Sequence, residues 1–162
     1  MENLVVNGLI DTTCDPKGNE LFILNRKKLQ DDLDYGLPKE NPVIDTLKKW
    51  FEEEITKSTY QYCPHDGFSK TTEYEIKSRR NRYNQYPTTI IPCSKIRNMK
   101  RDRLVFVFNF TDGLYYIEYD KEKFAKYEIK MVEAVRKRGG VIGKNLEPHF
   151  FIPIGDLTHI NI

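Results

Sequence analysis

The chain has 162 residues, 39% of them hydrophobic and 31% charged, which suits a single soluble globular domain with one core. No apolar run approaches the ~20 residues that span a bilayer, and the N-terminus lacks the basic start and long apolar centre of a secretion signal. Three widely spaced cysteines (Cys14, Cys63 and Cys93) favour free thiols over a disulfide framework, so an intracellular location, cytoplasmic or nuclear, is expected. The net charge of +2 gives no sign of a polyanion-binding surface when the chain is taken as a whole.

No internal repeat or low-complexity segment is present. The first 40 residues form an extension to which the pattern assigns no clear structure. Leu21-Phe22-Ile23-Leu24 suits a short strand or a helix start, and Gly36-Leu37-Pro38 breaks the chain. Asn41 as cap and Pro42 in the first turn predict a helix from Pro42 to about Lys57. Val43, Ile44, Leu47, Trp50, Phe51 and Ile55 form its apolar stripe. By helical phase Glu54 falls inside that stripe, where a carboxylate needs a partner or an ion unless it reaches water at the helix end. A strand is expected from Thr59 to Tyr62.

The next predicted strand, Thr71 to Ser78, alternates polar and apolar residues. Tyr74 and Ile76 face one way; Glu73, Glu75 and Lys77 face the other. Asn81 to Gln85 is turn-like, and Tyr86 to Ile91 is extended. Ser94 is placed to cap a short basic helix from Lys95 to Lys100. Leu104 to Phe110 reads as a strand buried on both faces. Thr111-Asp112-Gly113 turns it into a second strand, Leu114 to Tyr119. Lys121 to Phe124 suits a short helix, Tyr127 to Val135 has ambiguous periodicity, and Gly139-Gly140 breaks the chain. Pro148 to Ile154 is a last strand, placed at an edge by its prolines.

Glu75 and Lys77, two residues apart on one strand face, lie roughly 7 Å apart along the strand. The carboxylate can hold a metal ion while the lysine reaches a water or phosphate beside it. Asp66, nine residues upstream in Cys63-Pro64-His65-Asp66-Gly67-Phe68, offers a second carboxylate, or else serves as a turn residue before Gly67. Asp66 with Glu75-Ile76-Lys77 resembles the active site of the PD-(D/E)xK (restriction-endonuclease-like) nuclease superfamily. The segment following the strand is similar to that of its small viral and phage members. His65 stands where the name-giving motif has proline.

The resemblance covers roughly Pro42 to Tyr119 and implies an α/β fold, an αβββαβ core with a central mixed β-sheet flanked by helices. It implies one nuclease-like domain over 1–162: an extension (1–40), a core carrying the motif (42–119), and a C-terminal part (120–162) that completes the sheet. Asp66, Glu75 and the Ile76 carbonyl would bind Mg²⁺ or Mn²⁺. Lys77 would assist the attacking water, and Glu54 would be an additional acid from the first helix.

From Lys77 to Arg103 there are nine basic residues and one acid, Asp102. Such segment charge is the footprint of a phosphate-binding surface. Arg79, Arg80, Arg82 and Lys95 are candidate phosphate contacts, and Tyr83 (with Tyr86) is a candidate base-stacking ring or, equally, hairpin packing. The expected partner is nucleic acid, DNA ahead of RNA; a homodimer is expected only by analogy with small nucleases that cut two strands. No Gly-rich phosphate loop, histidine metal pair or nucleophile elbow competes. Asp112 with Glu118 and Asp120 forms a second acid group that reads better as a turn and strand end. The expected activity is metal-dependent phosphodiester hydrolysis. Its alternatives are a non-catalytic nucleic-acid-binding module of the same fold and a viral or phage interaction protein.

Overall fold

A computed structural model describes the backbone of residues 4–5, 7–8, 16–59, 63–138 and 141–162, and the side chains of 30–59, 63–133 and 145–162. In chain order the elements are β1 (Leu4–Val5), β2 (Asn7–Gly8), α1 (Pro16–Phe51), β3 (Thr56–Lys57), β4 (Gly67–Phe68), β5 (Thr72–Ser78) and β6 (Thr88–Pro92). There follow α2 (Ser94–Arg97), β7 (Arg103–Phe110), β8 (Gly113–Glu118), α3 (Lys121–Phe124), β9 (Glu128–Arg138), β10 (Val141–Pro153), a 3₁₀ turn (Ile154–Asp156) and β11 (Thr158–His159). The chain falls into two compact units, Met1–Tyr35 with Met131–Glu147, and Gly36–Lys130 with Pro148–Ile162. The first holds the short parallel pair β1–β2. The second holds the six-stranded sheet and every candidate site residue.

The fold is mixed α/β. The large sheet has the order β11-β8-β7-β5-β4-β3, and a smaller one has the order β6-β10-β9. In the large sheet β5 and β7 run parallel. The remaining neighbours are antiparallel. A parallel pair needs a long crossover, and residues 79–102, carrying β6 and α2, supply it.

Strand parity sorts the side chains into two cores. Tyr74, Ile76, Val105 and Val107 bury one sheet face beneath Val43, Ile44 and Leu47 of α1. Leu104, Phe106 and Phe108 bury the opposite face with Ile91, Ile152 and Phe124. The continuous apolar run of β7 is therefore buried on both sides, as its sequence predicts. In register, Glu75 pairs with Phe106 and Lys77 with Phe108, so the charged row of β5 shares the second face.

The first helix departs from expectation at both ends. It starts at Pro16 rather than Pro42 and carries Pro38 and Pro42 inside it. Each proline deletes one backbone bond, but the flanking turns persist; they are rich in good helix formers and bear pairs such as Gln30 Nε2 to Asp34 Oδ1 at 2.8 Å. It ends at Phe51, six residues before the expected stop. Glu52 adopts a left-handed φ of 54°. Glu53 N then donates back to Lys48 O at 3.3 Å, the six-to-one bond of a Schellman close.

Other elements match more closely. Asp120 caps α3 through Lys123 N at 3.0 Å. The helix at α2 is capped by Cys93 without a side-chain bond, so Ser94 is its first residue and not its cap. The ambiguous stretch after Tyr127 is strand β9. Strand β3 lies at Thr56–Lys57; of the expected strand Thr59 to Tyr62, Thr59 is not in a strand and the last three residues, like Gly139-Gly140, lie outside the described residues. Among the described residues no helix is long and apolar enough to cross a membrane.

Candidate active site

Asp66 sits one residue before β4 and extends its ladder. Its N–H donates to Tyr74 O at 2.9 Å, and its carbonyl accepts from Ser58 N at 2.8 Å. With the backbone so held, the side chain turns toward β5, and Oδ2 accepts from Ile76 N at 2.7 Å. Asp66 is thus not spent on the turn at Gly67. Glu75, 2% exposed, lies beside it on the strand face predicted by parity.

Glu75 divides its two oxygens. Oε2 receives both Lys77 Nζ at 2.8 Å and Lys95 Nζ at 3.1 Å. Oε1 is buried without a hydrogen-bond partner. Burial pushes the carboxyl up, but the two ammoniums outweigh it and hold Glu75 below the ordinary carboxylate range. Asp66 goes the other way. Burial, then the charge of Glu75 and more weakly that of Glu40, push it up to about 7 against the Ile76 N–H and Lys77. Two neighbouring carboxyls are therefore driven apart in acidity by their surroundings.

Behind Glu75 a second charged cluster closes the site. His65 Nε2 is 3.1 Å from the Lys95 carbonyl oxygen, which can only accept, so Nε2 carries the hydrogen. Its Nδ1 faces Glu73 Oε2 at 3.6 Å, too long for a hydrogen bond. Glu73 Oε1 accepts from Lys100 N at 2.9 Å, and Oε2 pairs with Arg101 Nη1 at 3.6 Å. The Arg101 guanidinium lies 4.5 Å over the Phe68 ring.

Asp66, Glu75, Ile76 and Lys77 are brought together. Glu54 is not. Its assignment to the apolar stripe assumed three further helical residues, whereas the helix stops at Phe51 and leaves Glu54 exposed. Lys95 does reach the site, but it contacts Glu75 and the Pro64 carbonyl (2.9 Å) rather than facing outward as a phosphate contact. The guanidinium of Arg79 donates to Ile90 O at 2.6 Å and lies 5.6 Å over Phe108. Burial lowers it to about 10 despite Glu75, so it stays charged at neutral pH. Arg80 and Arg82 are exposed. The ring of Tyr83 is taken by packing: it stacks on Tyr115 at 3.9 Å, meets Phe110 edge-on, and its hydroxyl donates to Ile154 O at 2.9 Å. Tyr86 is 56% exposed. The competing acids are structural. Asp112 accepts from Tyr83 N, Glu118 takes a two-pronged grip from Arg103 and Asp120 caps α3.

Sequence reasoning missed Glu40. It acts on Asp66 through its charge and pairs with Lys57 Nζ at 3.3 Å. Glu40, Ile44 and Leu47 share helical spacing, so the stripe itself marked Glu40. Placing the helix start at Pro42 cut it off. Gly67 lets the stripe approach closely, since a Cβ there would meet Thr56 O at 3.3 Å and Ile44 Cδ1 at 3.5 Å.

No family model matches the chain, and neither a curated protein nor a solved structure matches it. Among the described residues no three His, Cys, Asp or Glu side chains gather into a metal cage. The unpartnered Oε1 of Glu75, next to a carboxyl of raised pKa, nevertheless fits an ion that keeps most of its water shell, as Mg²⁺ does with one or two carboxylates.

Proposed function

We propose that the chain is a metal-dependent nuclease of the PD-(D/E)xK type, most naturally an endonuclease acting on DNA. The observation that carries this reading is the inward turn of Asp66, whose Oδ2 takes the Ile76 N–H and so lies beside Glu75. The order of elements also supports it. One helix (α1), three antiparallel strands (β3, β4, β5), a crossover carrying β6 and a short helix (α2), and a strand parallel to the third (β7) are compatible with an αβββαβ arrangement in which β6 is an added strand.

In this reading Asp66, Glu75 and the Ile76 carbonyl would hold Mg²⁺ or Mn²⁺. The ion, when bound, supplies neutralisation of charge on the phosphate and a more acidic water. Lys77 is held by Glu75 Oε2 at 2.8 Å, which fixes its ammonium at the site edge to orient the water and meet the scissile phosphate. The exposed Arg80, Arg82, Arg97 and Lys100 hold flanking phosphates.

The test is cleavage of supercoiled, linear and single-stranded DNA with Mg²⁺, with Mn²⁺ and with chelator. Metal-dependent cleavage that Lys77→Ala abolishes is expected. No cleavage of any substrate ends the catalytic reading. Salt-sensitive binding without cleavage reassigns the chain to a non-catalytic nucleic-acid module.

A further inference from the structure

We infer that Lys95 is a positioning residue that clamps the segment bearing Asp66 against Glu75. The clamp has two ties. Lys95 Nζ bridges Pro64 O at 2.9 Å and Glu75 Oε2 at 3.1 Å. Its own carbonyl accepts from His65 Nε2 at 3.1 Å. Pro64 and His65 are the two residues before Asp66, so α2 fastens the approach to Asp66 at consecutive positions. In the other direction Asp66 is tied to β5 through Tyr74 O and Ile76 N. Residues 63–65 lie outside any strand, so Pro64 and His65 are placed by these side-chain bonds, while Asp66 itself is also held by backbone bonds to Tyr74 and Ser58.

Both acceptors of the Lys95 ammonium are protein oxygens, and the side chain is only 21% exposed. Holding the side chain in one rotamer costs conformational entropy, which the two bonds, one to the loop and one to the strand, offset. Lys95 and Lys77 also share a single oxygen of Glu75, which leaves Oε1 clear. Lys95 therefore sets the site without plugging it.

This role rests on the proposed nuclease reading only for its use; the clamp itself is tested without any activity. The Ile76 amide, whose acceptor is Asp66 Oδ2, reports where Asp66 sits. In the full chain, hydrogen exchange of the Ile76 amide is compared between wild type, Lys95→Met and Lys95→Arg, with the amides of β7 as reference. Lys95→Met is expected to speed Ile76 exchange at least about tenfold relative to β7, and Lys95→Arg to restore most of the protection. His65→Ala, which cuts the other tie, is expected to move Ile76 in the same direction and covers the case of a Lys95→Met chain that does not fold.

The second readout is Mn²⁺ affinity by calorimetry, where the sign decides. Removing a positive charge beside the site strengthens cation binding if Lys95 merely repels the ion, and weakens it if Lys95 positions the ligands. About tenfold weaker Mn²⁺ binding in Lys95→Met is expected. Unchanged Ile76 exchange, or tighter Mn²⁺ binding, overturns the inference. A wild type that binds no Mn²⁺ removes the proposed nuclease site, and the amide exchange alone then judges the clamp.

Discussion

Glu73 and Glu75 are the same residue type, two positions apart on one strand face, 4% and 2% exposed. Their surroundings differ completely. Glu73 is met by the backbone N–H of Lys100 on one oxygen and the guanidinium of Arg101 on the other, so each of its oxygens has a partner. Glu75 is met by two flexible ammoniums on one oxygen, while the other oxygen is buried without a hydrogen-bond partner and its charge bears on Asp66. Burial alone thus does not mark a functional acid. Glu75 differs from Glu73 in having a buried oxygen without a hydrogen bond and an acid neighbour, a combination that calls for an explanation.

The largest effects follow from breaking the Glu75 side. Lys77→Ala and Glu75→Gln are each expected to cut metal-dependent cleavage by at least about a hundredfold, the lower end of what a positioned proton-handling group contributes. Circular dichroism should show Lys77→Ala still folded. Glu73→Ala is the counterpart. It leaves the Lys100 N–H and Arg101 without their acceptor and is expected to cost about 1–3 kcal/mol in urea unfolding. The activity of its folded fraction should fall far less than that of Lys77→Ala. If Glu73→Ala leaves stability untouched, or silences cleavage as fully as Glu75→Gln does, the contrast between the two glutamates is wrong.

Proton linkage sharpens the same contrast through Asp66. Its folded value of about 7 lies above the ordinary 3.8. The folded state therefore holds the proton more tightly than the unfolded chain. The resulting stability is fully present below about pH 4 and is lost as pH rises through 7. Asp66→Asn, which never ionises, is expected to be more stable than wild type at pH 8 and to lose this advantage by pH 4. The gap between the two values caps the effect at about 4 kcal/mol. Mg²⁺ should favour wild type, and more at pH 8 than at pH 5.5, since the ion and the proton compete for one carboxyl. A melting-temperature difference between the two chains that does not change with pH refutes this assignment.

The sequence made these residues legible to different degrees. Glu75 and Lys77 were visible because strand parity is a rigid rule: alternation over Thr72 to Ser78 fixes the face of every side chain. The same rule gave both faces of β7. Glu54 was misplaced because a helix pattern states where apolar residues lie, not where the helix stops. The stop depended on Glu52 adopting a left-handed φ, which a run of three glutamates does not announce as glycine would. Glu40 was missed through the opposite error, when a proline taken as a helix start hid the turn before it. The work of Lys95 and His65 was not legible. Their bonds span about thirty residues of separation, across a crossover whose course no local pattern sets. Tyr83 was open between stacking and packing, and its partner rings, Tyr115 and Phe110, lie on a hairpin that local pattern cannot dock.

Glu52 offers the smallest test, and it isolates a glutamate used by neither cluster. It is exposed, and its φ of 54° is a conformation that costs an L-residue about 1 kcal/mol or more and glycine almost nothing. Glu52→Gly gains that relief but also gives the unfolded chain more freedom, which offsets part of it. The expected net gain is about 0.5–1 kcal/mol in urea unfolding, with no change in cleavage or cation affinity. Removing the carboxylate changes local charge by as much as Glu75→Gln does, at an exposed position outside the bonds that build the site. A loss of cation binding in Glu52→Gly would mean that general negative charge, not the paired geometry of Asp66 and Glu75, draws the ion. Stabilisation with unchanged binding places the effect of Glu75 in its position rather than its sign.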